Sequence, residues 1–194
     1  MVEFNCILCG KCCEWYWIPI THLDMLRLKM YGGYQLKKIV DLKNVDEKPI
    51  KDEFIVMIED GEYYISLHRE EKMCIFLEDG KCLVHKFKPL VCRFYPFLYI
   101  IKRNGGIRIG VNDEAIGKCP GLKVDSKNIP KNIEKSLIRL AKIRILELSL
   151  WRETIKSWNN YMGKKGCLSE FINFSIDRAE RDFKELHRYN MWTM

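Results

Sequence analysis

Eight of the nine cysteines in this 194-residue chain fall into two sets, and their placement constrains the fold more than any other feature. One set is dense, Cys6-Ile7-Leu8-Cys9-Gly10-Lys11-Cys12-Cys13; the other is dispersed, at Cys74, Cys82, Cys92 and Cys119. The dense run packs four thiols into a stretch too short for ordinary disulfide pairing, and three-residue spacing lets sulfurs turn toward a common centre. These thiols read as metal or cluster ligands. Adjacent side chains point about 100° apart on a helix and to opposite faces of a strand, so Cys12 and Cys13 do not easily face one small ion. Either Cys6, Cys9 and Cys12 take three corners of one site while Cys13 joins a second, or one of the pair stands outside the coordination shell. Eight thiols allow two four-ligand sites, or a single site that leaves several thiols free.

A hydrophobic content of 47% with 12% aromatics is ample for a sizeable core. No stretch approaches the roughly 20 uncharged apolar residues of a membrane span, and the N-terminus lacks a signal-peptide pattern. The expectation is a soluble, cytoplasmic protein, and in a reducing compartment clustered thiols serve as ligands more often than as disulfides. The net charge of +7 invites a nucleic-acid reading, but the basic residues are interleaved with 26 acidic ones. That pattern fits a solvated surface, and no nucleic-acid-binding motif is present.

The chain divides near residue 125 into a cysteine-cluster domain, 1–125, and a C-terminal helical hairpin, 126–194. In the first, Thr21 with Asp24 marks a helix start, Leu23, Leu26, Leu28 and Met30 carry it to the Gly32-Gly33 stop, and a short helix is expected near Leu36 to Leu42. Phe54–Glu59 and Tyr63–Leu67 flank Asp60-Gly61 as a hairpin whose glycine accepts a positive φ, and Leu98–Arg103 and Ile107–Val111 flank Asn104-Gly105-Gly106 likewise. In the second, Pro130 opens a helix in which Ile133, Leu137, Leu140, Ala141, Leu148, Trp151, Ile155 and Trp158 recur at helical spacing. Another helix starts near Ser169, antiparallel to the first across Gly163–Gly166. The fold class is α+β: a small metal-stapled module of short helices and antiparallel hairpins, then a helical hairpin.

Between the two strand hairpins, Asp79-Gly80 reverses the chain so that Cys74 and Cys82 approach each other, Pro89 stiffens the approach to Cys92, and Cys119-Pro120 supplies a distant thiol. Cys6, Cys9, Cys12 and Cys13, then Cys74, Gly80, Cys82 and His85, then Pro89, Cys92 and Arg93 together resemble the CxxCxxCC family of zinc- or iron-chelating proteins. The spacing departs at Phe94-Tyr95-Pro96, where one extra residue separates phenylalanine from proline. The resemblance covers about residues 4 to 121. One branch of the family resembles flagellin lysine methylases, which implies that some relatives take part in protein methylation.

The paired Cys-x-x-Cys spacing is the usual zinc signal. Three cysteines two residues apart, completed by a remote Cys-Pro, instead match bacterial [4Fe–4S] ligation, with Cys6, Cys9, Cys12 and Cys119 as the set. The slight preference is the iron–sulfur cluster, with zinc as the alternative or as occupant of a second site. His85 is a candidate ligand or sulfur partner, and Arg93 a donor to a thiolate or holder of a substrate carboxylate, both as cofactor-binding candidates against plain structural roles. Trp15, Tyr16, Trp17, Phe94, Tyr95 and Phe97 are expected to shield the thiols from water. Cys167 reads as a buried helical thiol. Two functions remain: a redox, carrier or interaction module that docks a protein through its C-terminal helices, or a cluster-dependent modifying enzyme such as an S-adenosylmethionine-using lysine methyltransferase.

Overall fold

A short strand pair joins the two ends of the cysteine-bearing segment. In the computed structural model, which describes residues 1–45, 52–126, 128–162 and 165–193, β1 (Val2–Phe4) runs antiparallel to β11 (Leu122–Val124), with Phe4 opposite Leu122. The Asn5 N–H continues the ladder to the Gly121 carbonyl at 3.0 Å. The approach is close: a Cβ on Gly121 would sit 2.1 Å from the Asn5 carbonyl oxygen, so only glycine fits. Cys6 therefore leaves the ladder at the same end at which Cys119 approaches it.

The remaining strands form small antiparallel sheets: β2 (Val40–Asn44), β4 (Gly61–Leu67) and β3 (Val56–Ile58) in that order, then the pairs β5 (Arg69–Glu70) with β6 (Met73–Cys74), β7 (Leu77–Glu78) with β8 (Lys81–Cys82), and β9 (Phe97–Ile101) with β10 (Ile107–Val111). The helices are α1 (Lys11–Trp15), α2 (His22–Gly32), α3 (Leu36–Ile39), α4 (Leu90–Phe94), α5 (Lys131–Tyr161) and α6 (Leu168–Arg188). The architecture is α+β, ending in two long helices. Helix α2 starts at a reciprocal cap, in which the Asp24 N–H donates to Thr21 Oγ1 and the Thr21 N–H to Asp24 Oδ2, and it stops at Gly33, φ 65°.

Helix α5 is shared by two cores. Its Trp151, Ile155 and Trp158 join Leu23, Leu26 and Leu28 of α2 and Phe171, Ile172 and Ile176 of α6 in the larger one. Trp158 meets Phe171 edge-on, with centroids 5.2 Å apart, and its indole N–H donates to the Met57 carbonyl. Farther toward its N-terminus, Leu137 and Ala141 pack with Val2, Phe94, Phe97 and Ile109 in the smaller core. The cysteine-bearing loops lie on elements that these two cores hold in place.

Several local expectations need correction. The helix expected to reach Leu42 stops at Ile39, because Val40 to Asn44 pair with β4 instead, Leu42 opposite Ile65. In the β3–β4 hairpin Gly61 is a strand residue opposite Ile58, and the left-handed conformation falls on Glu59, φ 52°. Pro130 caps α5 from just outside it. Of the expected joint between the long helices, Gly163 and Lys164 lie outside the described residues. Cys167 is not buried in a helix: it is the half-exposed N-cap of α6, its N–H donating to Glu170.

Candidate metal centre

All eight clustered thiols line one chamber of about 430 Å³. Three local devices bring them there. The β1–β11 ladder sets the dense run beside Cys119. Gly10, in the left-handed region at φ 69°, turns the run into α1 and presses against the β7–β8 hairpin, where a Cβ would lie 2.5 Å from Leu77 and 2.8 Å from the Gly80 carbonyl. Asp79 and Gly80, both at positive φ, make the tight reversal that places Cys82 opposite Leu77. Helix α4 then brings in Cys92, one hydrogen bond past Pro89.

Within the chamber the thiols fall into two neighbourhoods. Cys13, buried on the inner face of α1, sets its thiol against those of Cys12, Cys74 and Cys82, while the Cys92 thiol feels Cys12, Cys74 and Cys82. Cys119 lies within electrostatic reach of Cys9, Cys12 and Cys6. Cys12 stands between the two groups. His85 belongs with the second: its Nε2 is 3.5 Å from Cys6 Sγ.

The electrostatics follow from this crowding. Hydrogen bonding from Cys13 brings Cys12 down to about 6 and Cys82 to about 7, against the opposing effect of burial, with the Lys88 ammonium helping at both. Cys74 is lowered for the same first reason. Cys13, donating to these neighbours, is pushed up. Burial raises Cys92 and Cys119, and neighbouring thiols add to both. Burial and Lys88 lower His85, which favours the neutral imidazole that a ligand or sulfur partner needs. Several thiolates crowded together in a low-dielectric chamber require a cation, and soft thiolate donors select zinc or iron–sulfur centres. The donor set therefore fits either group. Among the described residues no three His, Cys, Asp or Glu side chains converge as a metal-holding group, and the sulfurs lie around the chamber wall.

Other candidates sit apart from the thiols or shield them. Arg93 does not line the chamber: its Nε donates to the Lys88 carbonyl and its Nη1 to Thr193 Oγ1, at 3.0 Å each. Tyr16, Trp17, Phe94, Tyr95 and Phe97 do line it. Trp15 turns outward instead, 46% exposed, with the Lys11 and Lys118 ammoniums over its ring.

A buried ionic quartet escaped the sequence reading. Arg27 binds Asp24 at 3.2 Å and grips both carboxylate oxygens of Glu147, and Arg144 reaches Asp24 Oδ2 at 3.2 Å. Burial would push the Asp24 carboxyl up, but Arg144, Arg27 and the Leu90 and Thr21 N–H groups hold it below the usual range. The Leu90 N–H donates to Asp24 Oδ1 at 3.0 Å, so the quartet positions α4 and with it Cys92. The signal was a gap in the α5 apolar stripe between Ala141 and Leu148, where Arg144 and Glu147 fill core-facing positions.

A sequence that places thiols this way has relatives. Residues 5–121 match the CxxCxxCC family, described as a "Putative zinc- or iron-chelating domain". The chain belongs to this family of metal-chelating domains. It is similar to "Uncharacterized protein MJ0939" of Methanocaldococcus jannaschii, 26% identical over 188 residues that make up 93% of this chain and 56% of that protein. It is also similar to "Uncharacterized protein MJ0661" of the same organism, 27% identical over 169 residues, 77% of this chain and 84% of that protein. The chain thus spans little more than half the length of the first relative. No solved structure matches. Among the described residues no helix is long and apolar enough to cross a membrane.

Proposed function

We propose that this metal-binding chain holds an iron–sulfur cluster, of the [4Fe–4S] type, through Cys6, Cys9, Cys12 and Cys119, and a second centre, zinc or another cluster, through Cys13, Cys74, Cys82 and Cys92. It acts as a redox, carrier or interaction module, with the C-terminal helices as the docking face for a protein partner. The observation that carries this reading is the convergence of all eight thiols on one chamber in two neighbourhoods. A cluster supplies one-electron transfer; zinc supplies only structure. Around either, Tyr16, Trp17, Phe94 and Phe97 exclude water, and His85 positions the Cys6 sulfur. The deciding experiment is anaerobic purification followed by metal and acid-labile sulfide analysis. Iron and sulfide are expected; colourless protein with stoichiometric zinc and no sulfide overturns the cluster.

The aromatic volume beside the thiols also favours a second reading, a modifying enzyme that uses S-adenosylmethionine. Titration of the anaerobic protein tests it, and absence of binding with an intact centre removes it.

A further inference from the structure

We propose that the chamber also admits a small organic carboxylate, held beside the thiols by the free edge of the Arg144 guanidinium. Arg144 is only 6% exposed, yet it lines the chamber. Its Nη1 donates to Asp24 Oδ2 at 3.2 Å; among the described residues its Nε and Nη2 have no hydrogen-bond acceptor. Those two nitrogens form the parallel donor pair that matches the two oxygens of one carboxylate. A buried guanidinium spends its donors on available acceptors, so an unused fork facing a cavity points to an acceptor that arrives with a ligand.

The rest of the wall agrees. Lys11 and Lys88 line the chamber with Arg144, and among the described residues no Asp or Glu does. Nearby, Arg27 and Arg144 pair with Asp24 and Glu147. Among the described residues one further polar atom, Trp17 Nε1, is buried without a partner on a side chain that lines the same space. The indole can only donate. Phe94, Phe97 and Tyr99 supply an apolar wall, which suits a hydrocarbon body attached to the carboxylate better than a bare inorganic anion. The ligand would share the chamber of about 430 Å³ with the centres the thiols would hold.

The competing role for Arg144 is to offset thiolate charge and bind nothing else. The two roles separate in a binding experiment on the full chain, prepared anaerobically with its metal, by ligand-observed NMR and calorimetry. The probes are phenylacetate, its uncharged analogue 2-phenylethanol, and inorganic phosphate. Phenylacetate should bind at least about tenfold more tightly than either of the others. Arg144→Lys keeps a cation for Asp24 but loses the fork, and should erase that preference while metal content stays unchanged. Leu148→Trp, one turn along α5 and also on the chamber wall, fills the space without touching the quartet and should abolish binding; it serves even where Arg144→Lys fails to fold. Phosphate binding as tightly as phenylacetate, no preference over the alcohol, or unaltered binding in Leu148→Trp overturns the proposal. Metal and sulfide content are read separately, so carboxylate binding to protein without a metal would sink the metal reading alone, and metal without carboxylate binding this one alone.

Discussion

Asp24, Arg27, Arg144 and Glu147 are buried as two cations and two anions in mutual hydrogen-bond contact, whereas the thiols a short distance away crowd around a chamber with more potential anions than the wall can neutralise. The first arrangement is closed: each charge meets its opposite within the chain. The second is open, because lowering Cys12 and Cys82 requires Cys13 to keep its proton, and the surplus needs a cation from outside. The difference separates what the fold supplies by itself from what it leaves to a bound group. Arg144 touches both regions, which makes it the point where they communicate.

The comparison breaks most directly at Glu147. Glu147→Gln keeps the shape but leaves Arg27 with one carboxylate fewer in a fully buried position, and removing one partner of a buried pair costs about 3–5 kcal/mol. Urea unfolding measures this, and a loss under about 1 kcal/mol would show that the quartet is not closed in the sense argued. The next effect tests the open region. Gly121→Ala forces a Cβ toward the Asn5 carbonyl, with an overpacking cost of about 1–3 kcal/mol, and spreads Cys6 from Cys119. Metal retention against a chelator should fall along with stability. Unchanged retention would mean that the two thiol sets do not depend on this ladder.

What the sequence revealed and what it hid divide by range. The Thr21–Asp24 cap, the Asn104-Gly105-Gly106 turn and the Asp79-Gly80 reversal were legible because a few adjacent residues decide them. Leu36 to Leu42 misled because β4, distant in sequence, takes Val40 to Asn44 into a sheet. The gathering of thiols could be inferred from their number, but the ladder that performs it could not: three residues at each end of the segment from Val2 to Val124 carry no periodic signal. The quartet left no more than a gap in the α5 apolar stripe, for a related reason. Asp24 and Arg144 meet across the whole fold, and a charge on a helix looks solvated until its partner is known.

A smaller, pH-dependent effect sharpens the closed side. His22 stacks on Trp151 with centroids 5.4 Å apart and places Nε2 2.9 Å from Asp182 Oδ2. Burial outweighs Asp182 and holds its pKa below the ordinary value, and Nδ1 has no partner for a second proton. Because the folded pKa is depressed, the unfolded chain takes up the proton first as pH falls below about 6.5, and stability declines from there downward; above that value the residue contributes no pH dependence. His22→Gln should flatten this part of the decline when unfolding free energies at about pH 7.5 and about pH 5.5 are compared with those of the parent chain. An identical decline in both would remove His22 as its source.

The ninth thiol supplies the smallest effect and the control for the open region. Cys167 has the same chemistry as the other eight but caps α6, its Sγ 3.1 Å from Ser169 Oγ and its N–H on Glu170, and it does not line the chamber. Serine is a favoured N-cap, so Cys167→Ser should change stability by no more than about 0.5 kcal/mol and leave metal per chain unchanged. Cys9→Ser, under the same assay, should lose metal. If Cys167→Ser loses metal as well, being a thiol rather than lining the chamber determines the content, and the contrast between an open thiol region and a closed ionic one fails at its simplest point.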